Sequence, residues 1–145
     1  MAGVPHMETA IDLAKKAGAI MRENFAHGVH KDWKDDRSPV TATDIAINAL
    51  ILKEVKERYP DHSILSEEGS DHDESHEYVW VCDPVDGTHN FSHGIPTASF
   101  ALALVKNGQP VLGVILDPFE KRLYAAEKGK GAFLNGAPIY VSKST

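Results

Sequence analysis

The chain has a single cysteine, Cys82, in 145 residues. One thiol cannot close an intrachain disulfide, and the absence of a Cys pair removes the usual frame of a structural zinc site. No apolar run is long enough to cross a membrane, and no charged-then-apolar leader stands at the N-terminus. A cytoplasmic protein with no membrane partner is expected. Basic residues are few, 15 Lys and Arg against 21 Asp and Glu, for a net charge of −6. That balance argues against a nucleic-acid surface, which would be basic. There is no internal repeat and no low-complexity stretch. No Asp-x-Asp-x-Asp-Gly loop is present, so a plain calcium-binding module is the weakest reading. There are eight histidines but no His-Glu-x-x-His. The i,i+4 pairs His72/His76 and His89/His93 therefore read as surface histidines.

What is present is organised as helices followed by strands. Apolar residues at Ile11, Ala14, Gly18, Met21 and Phe25 predict a helix over Met7–Phe25, ended by His27-Gly28. Met1–His6 reads as a short leader or cloning remnant. Val29–Pro39, with Trp33 in its middle, reads as a loop. A second helix is expected over Asp44–Tyr59, N-capped by Thr43 or Asp44 and stopped by Pro60. Strands are expected at Ser63–Ser66, Tyr78–Cys82, Ser99–Lys106, Val111–Asp117, Arg122–Glu127 and Ile139–Val141. Asn107-Gly108 gives a hairpin signal, and Asp117–Glu120 a tight turn. At 145 residues this is one domain's worth of chain. The fold class is α+β: two helices packed on an antiparallel sheet.

The acidic residues carry the chemistry. Trp80-Val81-Cys82-Asp83-Pro84-Val85-Asp86-Gly87-Thr88-His89-Asn90-Phe91 places two carboxylates three residues apart after a hydrophobic strand that Pro84 is expected to stop. Two hard oxygen ligands at a loop mouth suit Mg2+. Gly87 can take a backbone angle closed to other residues, and Thr88 can seat a phosphate where a turn or helix begins. Taken alone, Asp-Pro-x-Asp-Gly is more often a plain chain reversal. But Glu67-Glu68 also follow a short strand, and a neighbouring strand would bring Glu67 beside Asp83. Asp44 stands at a helix start, where a rigid carboxylate can orient a hydroxyl or a water. Cys82, inside the strand, reads as a small core residue.

Thr41-Ala42-Thr43-Asp44, Ser66-Glu67-Glu68 and Asp83-Pro84-Val85-Asp86-Gly87-Thr88, in this order and spacing, resemble the inositol monophosphatase family. Its members are Mg2+-dependent, lithium-sensitive sugar and polyol phosphate phosphatases. Gly129-Lys130-Gly131-Ala132-Phe133-Leu134-Asn135-Gly136 looks like a further segment of that family, and the resemblance runs from about Met7 to Ser142. It implies the layered, fructose-1,6-bisphosphatase-like sugar-phosphatase fold and hydrolysis of a small-molecule phosphate monoester. It also implies Mg2+ as cofactor, with Mn2+ as a substitute, and a homodimer in the full-length form. Residue by residue, Glu67, Asp83 and the Val85 carbonyl would form a first metal site. Asp83 would bridge to a second site holding Asp86. Thr88, bonded to Asp44, would act on the attacking water. The Gly87 and Thr88 N–H groups would hold phosphate oxygens, Glu68 would support the loop or the metal, and His89 would line the site mouth.

Two departures accompany the likeness. Members of the family are nearly twice as long, and their second half supplies a further α/β layer and the last carboxylate of the second metal site. Residues 7–145 therefore resemble the metal-binding N-terminal domain, the C-terminal domain being absent. In Asp32–Arg37, the acidic Asp35-Asp36 stands where many relatives have Lys, so a mobile-loop role competes with a plain surface loop. Three functions follow. The first is an inositol-1-phosphate-type phosphatase, with fructose-1,6-bisphosphatase and histidinol-phosphatase as close variants; Asn90-Phe91 fits a nucleotide 3′-phosphatase less well. The second is a truncated fragment that binds a metal or a partner without catalysis. The third is the calcium module.

Overall fold

The computed structural model of the chain describes residues 6–26, 28, 31–33 and 39–144. Of the expected leader Met1–His6, residues 1–5 lie outside them, as does the acidic Asp35-Asp36 segment, whereas His6 already belongs to the first helix. Helix α1 spans His6–Ala26 and α2 spans Ala42–Arg58. Seven strands form one sheet in chain order: β3 (His62–Ser66), β4 (Tyr78–Asp86), β5 (Ser99–Lys106), β6 (Gln109–Asp117), β7 (Arg122–Glu127), β8 (Gly131–Leu134) and β9 (Ala137–Ile139). A one-turn helix α3, Thr88–Ser92, follows β4.

Both long helices lie on one face of the sheet. Leu13, Ala14, Ala17 and Met21 of α1 and Ile47, Ile51 and Val55 of α2 are fully buried. They meet Trp80 and Cys82 of β4, Phe100, Leu102 and Leu104 of β5, and Leu112, Val114 and Leu116 of β6. The alternation along each strand follows from the period of two, with odd residues turned to the other face. Gly18 sets how near α1 comes to β6, because a Cβ there would overlap Leu116 Cδ2. The sheet's far face carries Val81, Ile115, Tyr124 and Ile139, all exposed. They border a shallow apolar trough of about 480 Å³ floored by Ala101, Ala103, Gly113 and Ala126.

Several local expectations are corrected. Pro84 does not end β4; the strand runs on to Asp86, and the lost donor appears as a break in its register with β5 between Asp83 and Asp86. The sheet is antiparallel except for β3 and β4, which pair in parallel, Ser66 opposite Cys82. The connection between them is long enough for the crossover that a parallel pair requires. The Trp33 segment is not all loop: Lys31–Trp33 (β1) pairs antiparallel with Pro39–Thr41 (β2). Helix α2 is capped by Thr41, one turn earlier than expected, and Asp44 is the partner in a capping box. The last strand is Ala137–Ile139, with β8 an unforeseen partner joined to it through Asn135 and Gly136, both at positive φ.

Candidate active site

Three chain segments meet at the carboxyl end of β4. The parallel pairing of β3 and β4 carries both strands to the same edge of the sheet, so Glu67 follows Ser66 where Asp83 follows Cys82. The third segment is the first turn of α2, with Asp44 almost wholly buried. Asp44 is held from several sides. The Thr41 backbone N–H donates to Oδ2 at 2.9 Å, the Thr41 hydroxyl donates to the same oxygen, and the Asp44 N–H returns a bond to Thr41 Oγ1 at 3.3 Å. The neighbouring Thr43 hydroxyl accepts from Asn24 Nδ2 at 2.8 Å, which ties this turn to α1.

Asp44 Oδ1 faces β4. The Thr88 hydroxyl lies 3.0 Å from it and 2.8 Å from the Val85 carbonyl oxygen. A hydroxyl has one proton, so the two acceptors compete for it. Thr88 opens α3, and Gly87 before it has φ +87°. A side chain at Gly87 would be strained twice, by that angle and by a Cβ only 2.8 Å from the Thr97 carbonyl oxygen. The close pass of Thr97 is held by Asn90, whose Nδ2 donates to Thr97 Oγ1 at 3.0 Å.

Asp83 is the electrostatic centre. Its Oδ1 is buried with no hydrogen-bond partner among the described residues. Burial, then the carboxylates of Glu67, Asp86, Asp44 and Glu68 in that order, push the Asp83 carboxyl up to about 6. Four acidic side chains from three segments thus act on one half-buried carboxylate. Asp86 and Glu67 are exposed, Glu68 is half-buried, and the Val85 side chain is buried, which leaves its carbonyl at the turn. Among the described residues no three His, Cys, Asp or Glu side chains are already drawn into a ligand cluster. The relation of the carboxylates to Asp83 is electrostatic: each acts on it as a like charge.

The residues singled out in the sequence, Asp44, Glu67, Glu68, Asp83, Val85, Asp86, Gly87 and Thr88, all contribute to this one edge. Cys82 is buried on the core side, and burial with the nearby Asp83 raises its thiol to about 12, so it is no nucleophile. Sequence reasoning quoted Thr41 only as part of the Thr41–Asp44 motif and missed its role as the cap that fixes the carboxylate of Asp44. The Thr-x-x-Asp spacing of a capping box was a signal that could have found it. It also missed Thr97, which no local motif links to Gly87.

Comparisons with known proteins identify the family and the fold. The model of the inositol monophosphatase family matches residues 5–145. Inositol monophosphatase 1 of Solanum lycopersicum is 41% identical over 140 residues, covering 94% of this chain and 51% of that protein. A histidinol-phosphatase of Chlorobaculum parvum is 37% identical over 139 residues, covering 95% and 54%. Among solved structures, the extragenic suppressor protein suhB of Bartonella henselae superposes with a TM-score of 0.90 at 30% identity, covering 97% of this chain and 56% of that one. The chain spans about half the length of the curated relatives it matches.

Proposed function

The chain belongs to the inositol monophosphatase family, and from that premise we propose that it serves Mg2+-dependent hydrolysis of a small polyol or sugar phosphate monoester, of the inositol-1-phosphate type. Residues 7–145 act as the metal-binding N-terminal domain. The observation that carries the reading is Asp83: a buried carboxylate oxygen without a hydrogen-bond partner among the described residues, under the charges of Glu67, Asp86, Asp44 and Glu68. Such a cluster is unfavourable until a cation neutralises it, and an all-oxygen donor set suits Mg2+ or Mn2+.

In this reading Glu67, Asp83 and the Val85 carbonyl would hold one ion, and Asp83 and Asp86 would take part in holding a second. When bound, the ions supply Lewis-acid activation of a water and stabilise charge on the departing ester oxygen. The chain's own residues do the rest. Asp44 is a fixed acceptor, because Thr41 occupies its other oxygen. It accepts the Thr88 hydroxyl hydrogen bond at Oδ1, which turns the Thr88 lone pairs toward the cleft. Thr88 Oγ1 then accepts a proton from the attacking water and passes its own to Asp44 Oδ1. The N–H groups of Gly87 and Thr88, at the turn made by the positive φ of Gly87, would receive phosphate oxygens. Glu68 supports the loop from the half-buried side, and His89 stands exposed at the mouth.

Histidinol phosphate is the alternative substrate, supported by the Chlorobaculum parvum relative. A non-catalytic fragment that binds a metal or a partner is the alternative role, supported by the half-length coverage and the exposed apolar face. No described helix is long and apolar enough to cross a membrane. Lithium sensitivity, a cytoplasmic setting and a homodimer of the full-length form go with the family reading. Calorimetric titration with Mg2+ and a parallel assay of phosphate release from inositol phosphate and histidinol phosphate separate these cases. Saturable Mg2+ binding with turnover of one ester supports the phosphatase. Binding without turnover supports the fragment. Failure to bind Mg2+ at all, with Asp83→Asn indistinguishable from the parent, overturns both.

A further inference from the structure

Helix α2 carries Asp44 in its first turn and Asn48 one turn later, on the same face of the helix. Asn48 is only 5% exposed. Its Nδ2 donates to the Gly69 carbonyl oxygen at 3.3 Å. A carbonyl can only accept, so this contact fixes which way the amide points. Asn48 Oδ1 is then buried with no hydrogen-bond partner among the described residues. For packing alone, an apolar side chain of similar size would fill the position and orphan no oxygen. What such a side chain would lose is the donor to Gly69.

Gly69 belongs to the turn that holds Glu67 and Glu68. The Ser66 N–H donates to Ser70 Oγ at 3.0 Å, and Ser70 Oγ donates to the Ser66 carbonyl at 3.2 Å. The Gly69 N–H reaches the same carbonyl at 3.5 Å. These bonds close the turn on itself, but they do not aim it at the rest of the molecule. Asn48 ties it to α2. Gly69 permits the approach, since its φ is +140° and a Cβ there would lie 3.3 Å from Asn48 Nδ2. A second tie to α2, the Lys56–Asp71 ion pair at 3.0 Å, joins exposed side chains and holds weakly.

We propose that Asn48 is a positioning residue for the metal site. By pinning Gly69 to α2 it sets the backbone from which Glu67 acts on Asp83. One rigid helix then aligns both the Glu67 turn and the Asp44 carboxylate that Thr88 meets. The inference rests on the reading of Glu67 and Asp83 as ligands of one ion, and it gives Asn48 no contact with ion or substrate.

The test compares Asn48→Leu, which keeps a side chain of similar size, with Val55→Ala, which opens a cavity at a fully buried position of the same helix. Hydrogen exchange of the metal-free chain reads the turn, and calorimetry with Mg2+ reads the site. Asn48→Leu should speed exchange of the Ser66, Gly69 and Asp71 amides and weaken Mg2+ binding about tenfold, with little change in the thermal midpoint. Asn48→Ala should weaken binding equally. Val55→Ala should lower the midpoint yet keep Mg2+ affinity within about twofold. If Asp83→Asn abolishes Mg2+ binding while Asn48→Leu binds like the parent, the proposal is overturned and the metal reading stands. Equal loss of affinity in Val55→Ala, or unchanged exchange of the turn in Asn48→Leu, overturns it too. A parent chain that binds no Mg2+ overturns the metal reading, and the proposal with it.

Discussion

The Thr88 hydroxyl meets Asp44 Oδ1 at 3.0 Å across 44 residues of sequence. The bond joins the first turn of α2 to the loop after β4, and each end is fixed by something else. Asp44 is immobilised by the Thr41 cap, and Thr88 by the left-handed turn at Gly87. The Val85 carbonyl competes for the same proton at 2.8 Å. A ligand that engages the Val85 carbonyl would release the Thr88 hydroxyl to Asp44 alone, so metal loading and Thr88 orientation are coupled in the proposed mechanism.

Thr88→Ala should therefore lower kcat by about 10²-fold or more while changing the Mg2+ requirement by less than about threefold, since the lost group acts on the proton and not on the ion. Thr88→Ser should retain most activity. Steady-state kinetics of the active enzyme against Mg2+ concentration give the answer. A large rise in the Mg2+ requirement at normal saturated turnover would move Thr88 from the proton path to the metal site.

Gly87→Ala should destabilise the fold by about 1–3 kcal/mol, from the φ of +87° and from the clash with the Thr97 carbonyl. Thermal unfolding measures the loss. A shift of no more than a degree would mean the Thr97 segment yields freely, and the turn would not be rigid enough to aim Thr88.

Much of this was legible in the sequence because it is local. The helical stripes, the Asn107-Gly108 hairpin and the carboxylates at strand ends all follow from short-range rules. The inositol monophosphatase family was identifiable from the Asp83–Thr88 run with Asp44 and Glu67. What escaped depends on distant partners. Whether β3 lies parallel to β4 is decided by a crossover whose residues carry no pattern. Pro84 obeyed its rule only in part, since a strand can absorb one missing donor as a register break. Strand β8 was hidden because Gly131–Leu134 has a glycine and too few residues for an alternation, although Asn135-Gly136 after it carried the same turn signal as Asn107-Gly108. The close pass of Thr97 over Gly87 has no sequence signature at all.

Asp83→Asn should have opposite effects with and without metal. The folded carboxyl is raised from 3.8 to about 6, so the native state holds its proton more tightly than the unfolded chain does. Below pH 3.8 this group makes no difference. As pH rises from 3.8 to about 6 the unfolded chain gives up this proton first and stability falls; above 6 both states are ionised and the loss is complete. Metal-free Asp83→Asn should then be more stable than the parent at pH 7.5, by about 1–2 kcal/mol after allowing for solvent screening, with the gain vanishing near pH 4. In saturating Mg2+ the order should reverse, and phosphatase activity should be lost. Denaturant unfolding at the two pH values, with and without Mg2+, checks all three statements. An Asn variant that is less stable than the metal-free parent at pH 7.5 would mean the cluster is not under electrostatic strain.

His62 sets a second pH dependence, at the opposite end of β4. Its ring is stacked between Tyr59 and Tyr78, at 4.7 Å from each, and Nδ1 accepts the Trp80 indole N–H at 3.0 Å. Protonation at Nδ1 would break that bond. Burial first, then the neighbouring His6, lower His62 to about 4; Asp61 opposes the shift and His76 adds to it. His6 is itself lowered, chiefly by burial, against the pull of Glu127 and with a push from Lys106. The unfolded chain titrates this ring near 6.5, so above 6.5 both states are neutral and the cluster contributes fully. As pH falls from 6.5 toward 4 the unfolded state takes up the proton first, and stability declines. His62→Phe keeps the stacking surface but cannot titrate. It should cost about 1 kcal/mol at pH 7.5 for the orphaned indole N–H, and should lose less stability than the parent between pH 6.5 and 4.5. Parallel unfolding profiles for the two proteins across that window would show that His62 is not the group responsible. The same experiment on a His6 variant apportions whatever slope remains, because α1 brings that ring within 5.4 Å of His62.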